Sequence, residues 1–419
     1  MKSLFRIKSI WLMIILMVSI SPLLLKIILT NPTIGSKAAV IKITVFILIT
    51  ALCFLYLFKF NFPKKGSWLV FGFLFLEIGP ILTQKFGYVA DYDYELFTLF
   101  SFFILVYLIP PLRTEEFIKI SKNFLLIIYV YGSLFFWIIS PAWVLDITYS
   151  QGLIAGFDIR FSGLTSHGNS LGPLIGVYLI LDMYLPSKFP WRILHNFFAL
   201  FILLLTQSKT VWVLVVISYL VYVIYNKLLW KKGREKLLAI SITSLIIAFT
   251  FLVLLLFNIP HQLELFIVKN NIMEFTGRRI IWEITMQSWM LNPLFGYGLE
   301  LWGPEMQQRY LDILKFAPGT AHNQLMQSLG ESGIIGLLGL VFYTFIFLRY
   351  SIKYAKQTKG ITIILFIFIY IRGVTEVSFP NNIYNVANNV HFIAFSLLIL
   401  LEKQDYFKRT SKTVSAKSL

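Results

Sequence analysis

The chain holds a single cysteine in 419 residues. Cys53 therefore has no partner for an intrachain disulfide, and no Cys/His spacing of the zinc-binding kind occurs. Charge is also scarce. Only 14% of residues are Asp, Glu, Lys or Arg, against roughly 25% in a soluble domain. A soluble enzyme with one hydrophobic core is thereby excluded, and neither an internal repeat nor a soluble domain can be found. Acidic residues are the rarer sign, 20 against 37 Lys and Arg, for a net charge of +17. Such an excess can mark a nucleic-acid binder. In a chain this apolar it instead marks cytoplasmic loops obeying the positive-inside rule, and nucleic acid is not an expected partner. The N-terminus (Lys2, Arg6, Lys8, then an apolar run) lacks a convincing small-x-small cleavage site, so an uncleaved first helix is expected.

Hydrophobic residues make up 58% of the chain, and several apolar runs reach the length of about 18 residues or more that marks a spanning helix. The reading is an all-α polytopic membrane protein forming one integral membrane domain over 1–419, with about twelve transmembrane helices. Spans are expected near 9–29, 38–59, 66–84, 95–112, 122–140, 170–186, 191–206, 210–228, 236–258, 323–349, 360–375 and 388–402. With both termini cytoplasmic, 25 of the 37 Lys and Arg fall inside. The clearest inside markers are the loop around Lys227, Lys231, Lys232, Arg234 and Lys236, and the tail from Lys403 to Lys417. A large external loop, 259–322, then joins spans nine and ten. Residues 141–169, the turn 206–210 and the loop 376–388 share its face.

The 259–322 loop is the polar island of the chain. Arg278 to Leu291 has helical periodicity, with Ile280, Ile281, Ile284 and Trp289 on an apolar side and Arg279, Glu283 and Gln287 spaced four apart on another. Such an amphipathic helix could lie in the interface with its aromatic residues among the headgroups. Asn292-Pro293 ends it, and Gly296 and Gly298 allow a turn closed to other residues.

Each candidate group on this face has a blander counterpart. His322, followed by Asn323, enters a span at the membrane surface, where imidazole can serve as a base near neutral pH; it could equally cap the helix. Arg278 and Arg279 could hold phosphate oxygens in bidentate fashion, or snorkel to lipid phosphates. Lys209, in a short turn between spans, is costly so near the membrane core without an anionic partner, unless it simply reaches the headgroups. Arg160-Phe161-Ser162-Gly163 and Ser166-His167-Gly168-Asn169 precede a helix N-terminus, which suits an anion, although capping alone would use Asn169 or Ser170. Asp91-Tyr92-Asp93, with Glu95, has the form of a metal-binding acid pair but reads first as a solvated loop. Glu77 lies within a span, where an acid suggests function. Asp182 lies near the cytoplasmic end, where it can be merely interfacial. Glu331 follows His322 closely enough to face the same cavity.

In order, Arg160-x-x-Gly163 with His167-x-Asn169, Leu205-Thr206-Gln207-Ser208-Lys209-Thr210, Gly277-Arg278 with Trp282, Pro293-x-x-Gly296-x-Gly298, and His322-Asn323 with Glu331-x-Gly333-x-x-Gly336 resemble the O-antigen ligase and O-antigen polymerase superfamily. The resemblance runs from about residue 155 to 345. It implies a metal-independent glycosyltransferase of the GT-C type, without cofactor, at the outer face of a bacterial inner membrane. Such an enzyme takes a glycan from an undecaprenyl-diphosphate carrier. A polymerase passes it to a lipid-linked acceptor, which is the leading expectation; a ligase passes it to a terminal acceptor such as lipid A–core. The resemblance makes His322 catalytic and Arg278 diphosphate-binding, with Arg279 and Arg160 able to share that role and Asn323, Glu331 and Trp282 in support. Where the family usually carries Arg in the turn after span seven, this chain has Lys209, which keeps the charge and loses the fork. A lipid-linked oligosaccharide flippase is the alternative of another class; the few mid-span charges argue against it.

Overall fold

The computed structural model describes residues 6–12, 14, 47, 51, 67–92, 94–108, 110–146, 160–165, 167–229, 276–314, 318–381 and 385–417. The expected spans 9–29, 38–59 and 236–258 lie wholly or largely outside these residues, as do Cys53, Asp93, Ser166 and the first part of the 259–322 loop.

Apolar, Gly- and Pro-punctuated stretches become helices: α1 Trp68–Phe86, α2 Tyr94–Leu108 and α3 Thr114–Leu125. The last continues through a wider π-type stretch, Leu126–Gly132, into α4 Ser133–Ile139. A short antiparallel pair follows, β1 Leu145–Asp146 with β2 Arg160–Phe161. Then come α5 Gly168–Tyr184, α6 Trp191–Leu205, α7 Lys209–Ile224, α8 Thr276–Met290, α9 Pro304–Leu314, α10 Gln324–Ala355, α11 Ile361–Thr375 and α12 Val386–Lys417. By length and composition, Trp68–Phe86, Thr114–Ile139, Lys209–Lys227 and Gln324–Thr358 can each cross a membrane. Trp191–Leu205 and Ile361–Thr375 are apolar but shorter. This is a mostly helical, polytopic membrane protein.

Helix α11 is apolar all round, and every residue of it except Tyr370 is buried, as expected of a helix surrounded by others. It packs against α5, α7, α10 and α12. Its C-terminal end therefore lies where several helix ends converge.

Helices α1 and α10 meet along small residues, the close-approach device of membrane helices. A Cβ on Gly79 would lie 2.5 Å from the Gly336 Cα. Helix α10 is broken at Gly333 (φ 62°, ψ −158°), and the loop after α8 fills the break. Ile334 N donates to Pro293 O (3.0 Å) and Tyr297 N to Gly330 O (2.8 Å), and Gly298 N reaches Glu331 O (3.2 Å). A Cβ on Gly296 (φ 81°) would sit 2.4 Å from the Glu331 carbonyl, so glycine is required there. The same loop is tied to α1 by Thr83 Oγ1 to Phe295 O (2.6 Å) and Asn292 Nδ2 to Phe86 O (2.7 Å).

One expectation is corrected, and one acid gains partners that the sequence did not name. Trp282 and Ile281 of α8 are buried in a cluster with Leu301, Trp302 and Ala321, so Trp282 is not an aromatic anchor among headgroups. Asp182, expected near the cytoplasmic end of its span, is a buried and partnered acid. It is 1% exposed and held by Lys122 Nζ (2.9 Å), Arg192 Nε (3.0 Å) and Ser187 N (3.0 Å), because a carboxylate at that depth needs such partners.

Candidate active site

His322 occupies the turn that enters α10, at a left-handed φ of 49°. For a non-glycine residue this conformation costs about 1–2 kcal/mol, so the surroundings must enforce it. Trp282 Nε1 donates to Ala321 O (2.7 Å), and Ala321 N donates to Gln327 Oε1 (2.6 Å). Asn323 caps α10 by accepting from Met326 N (3.0 Å), and its Nδ2 donates to Val374 O near the end of α11 (2.9 Å). Trp282 and Asn323 thus fasten α8, α10 and α11 around His322.

The contact that organises the site is one the sequence reading did not name. Glu376 is the C-cap residue of α11. Its Oε2 lies 3.0 Å from His322 Nδ1. Its Oε1 accepts from Arg278 Nη2 (3.3 Å) and from Asn169 Nδ2 (3.2 Å). Asn169 Oδ1 in turn accepts from Arg160 Nη2. The Arg160 Nε donates to Thr206 O (2.8 Å), and its Nη1 is 3.2 Å from His167 Nε2. Thr375 Oγ1 meets Thr210 Oγ1 at 3.3 Å. Segments far apart in sequence (160–169, 206–210, 278–282 and 322–323) therefore converge on the end of α11. An acid there opposes the helix dipole, so it must be held by other charges. That conflict, a lone Glu closing an apolar helix, was the available signal.

Burial alone would raise the Glu376 carboxyl. His322, through charge and hydrogen bond, then Arg278 and Arg372 outweigh burial and hold it well below the ordinary carboxylate range. Glu376 is thus an anion whose hydrogen bond favours a proton on His322 Nδ1 and leaves a lone pair on Nε2. The side chains of His322, Arg278 and Glu376 are 28%, 17% and 15% exposed, enough for a substrate to reach the cluster from one side.

The two adjacent arginines diverge. One helical turn links Arg278 to Trp282 on the inward face. Arg279 Nε pairs with Glu283 Oε1 (3.0 Å) on the outward face, with side chains 43% and 52% exposed. Arg160 is 3% exposed and lies behind Asn169 rather than beside His322. Lys209, the first residue of α7, is partly exposed, and among the described residues its ammonium makes no hydrogen bond or ion pair. Glu331 is buried, accepts from Gln327 Nε2 and Asn381 Nδ2, and lines a cavity facing α1. Asp91 is exposed, and among the described residues no group of three or more His, Cys, Asp or Glu is placed to hold a metal.

No curated protein matches the chain. A family model described as O-antigen ligase matches residues 194–341. That segment holds the 206–210 turn, Arg278, the Pro293–Gly298 loop and His322, and the match supports the resemblance to the O-antigen ligase and O-antigen polymerase superfamily.

Proposed function

We propose that the chain is a glycosyltransferase that moves a glycan from an undecaprenyl-diphosphate carrier to a hydroxyl acceptor at the outer face of a bacterial inner membrane. The observation that carries this reading is the His322–Glu376–Arg278 cluster, with Nδ1 to Oε2 at 3.0 Å and Nη2 to Oε1 at 3.3 Å.

A sugar attached to diphosphate is already activated. The reaction needs a base for the acceptor hydroxyl and positive charge for the departing diphosphate. His322 Nε2 takes the hydroxyl proton as the acceptor oxygen attacks the anomeric carbon. The bond from that carbon to the phosphate oxygen breaks, and the electron pair leaves with the diphosphate. Arg278 and Lys209 stabilise the departing charge electrostatically. Glu376 holds the imidazole tautomer and stabilises the imidazolium that forms. A single displacement of this kind inverts the anomeric centre and calls on no metal.

The test is transfer by the purified protein from an undecaprenyl-diphosphate-linked oligosaccharide in chelator, comparing wild type with His322→Ala. Transfer by wild type alone, with donor binding kept in the variant, supports the reading. Equal activity of both removes His322 as the base. Movement of the lipid across vesicles without transfer would replace the enzyme by a carrier. Gene deletion then distinguishes the acceptor: loss of a polymerase leaves single repeat units on the acceptor, and loss of a ligase leaves long chains on the carrier. Of these two, the polymerase is the assignment we adopt.

A further inference from the structure

Glu77 takes no part in the cluster around Glu376. It lies midway along α1, is 4% exposed, and its Oε2 is buried with no hydrogen-bond partner among the described residues. It lines a cavity between α1 and α10 together with Gln324, Ser328, Glu331, Ser332 and Asn381. The cavity has room for a water-sized occupant and none for a sugar ring.

We propose that Glu77 and Glu331, with the hydroxyls of Ser328 and Ser332, form a site for one small monovalent cation of the sodium class at the break in α10. The acidic lining calls for positive charge, and the small size of the cavity points to one compact ion. No Lys, Arg or His lines the cavity. The Glu331 carboxylate is already met by two amide donors, Gln327 Nε2 and Asn381 Nδ2. Glu77 has no such donor among the described residues, and an uncompensated carboxylate at this depth is expensive. The lining atoms suit a hard ion, because carboxylate and hydroxyl oxygens select alkali and alkaline-earth cations. A divalent ion keeps six or more oxygen ligands, several of them usually water, and the cavity has room for one water-sized occupant only. Carboxylate ligands also favour compact sodium over potassium.

Placement supports the same conclusion. Interrupted membrane helices are where coupling ions are commonly held. Here the interruption at Gly333 follows directly after Glu331 and Ser332. Pro80 and Gly336 line the same cavity, so the ion would join α1 to the broken helix at their closest approach. This site is separate from glycosyl transfer and is read without it.

The experiment uses the full chain in lipid nanodiscs and measures binding of radioactive sodium together with thermal unfolding. Sodium is replaced by N-methylglucamine at constant ionic strength. Saturable binding, better competition by lithium than by potassium, and a rise of several degrees in Tm with sodium are expected. Glu77→Gln should abolish both effects, and Asp91→Asn, an exposed acid, should retain them. Should Glu77→Gln fail to fold, Ser332→Ala is the second variant, with sodium affinity expected to fall by about tenfold. Undiminished binding in Glu77→Gln, or in Ser332→Ala where that is the variant read, overturns the proposal. So does a wild type indifferent to sodium whose stability responds only to pH, since Glu77 is then simply protonated. Stabilisation by calcium and not by sodium overturns it as well.

Discussion

Changing Glu376 to Gln keeps the side-chain volume but removes a charge and turns one acceptor oxygen into an N–H donor. In the wild type, Oε1 receives Arg278 and Asn169, and Oε2 receives His322. Two donors claim the single oxygen left in Gln, so the amide nitrogen faces His322 Nδ1. The ring must then carry its proton on Nε2, the atom that has to be a lone pair for catalysis. Positioned general bases contribute about 10²–10⁴-fold. Glu376→Gln should therefore lower kcat by roughly 10²–10⁴, or about 2.7–5.4 kcal/mol of barrier. Donor KM should move less than about tenfold, because Arg278 keeps its charge. Glu376→Asp keeps the charge but withdraws the carboxylate by ~1.5 Å, and should fall in between. The assay is the initial rate of glycan transfer from lipid-linked donor, with Tm recorded to establish folding. Residues acting as a unit are not additive, so His322→Ala/Glu376→Gln should be about as slow as His322→Ala alone. Near wild-type kcat in Glu376→Gln, or multiplying losses in the double variant, would refute the dyad.

Arg278→Ala should cost about 10²–10³ in kcat/KM, whereas Arg279→Ala should stay within about twofold, since its exposed pair with Glu283 is worth only about 0.3–0.5 kcal/mol; equal losses at the two positions would contradict the geometry. Gly296→Ala puts a Cβ 2.4 Å from backbone at φ 81° and should destabilise by more than about 2 kcal/mol in thermal unfolding. Gly319→Ala, with nothing within 4 Å, should be neutral in the same measurement. The depressed Glu376 carboxyl contributes stability that is fully present above the unfolded-state value of about 4.3 and lost as pH falls toward its lower folded value. Tm should therefore fall as pH drops below about 4, and Glu376→Gln should flatten that dependence.

Helices were readable wherever hydropathy alone decides. The expected spans 170–186, 191–206 and 360–375 correspond to Gly168–Tyr184, Trp191–Leu205 and Ile361–Thr375. Where two physical demands compete, the reading was partial. The 323–349 run is apolar only from Ile334 onward, and its polar, glycine-containing first part was read as the opening of one unbroken span; the break at Gly333 shows only with the loop that fills it. The alternation of Arg279, Glu283 and Gln287 correctly located the outward face of α8. It could not say that the other face meets Ala321 rather than lipid, because burial against protein and burial in a bilayer select the same residues. Residue type and loop position, together with the family resemblance, led to His322, Arg278, Lys209 and Arg160. Glu376 lies 54 residues beyond His322, and only tertiary packing unites them. Asp182 read as interfacial because its partners, Lys122 and Arg192, are contributed from both sides of the chain.

The loop that replaces the missing turn of α10 gives the segment between α8 and α10 unequal latitude for change. Between Pro293 and Gly298 the backbone supplies the hydrogen bonds that a transmembrane helix would otherwise make for itself. An inserted or deleted residue there alters the register of a membrane helix, not merely the length of a loop. Gly319 itself carries no such duty, since a Cβ there would meet nothing within 4 Å. Change is free at Gly319, while Pro293 to Gly298 is bound to the grammar of the bundle.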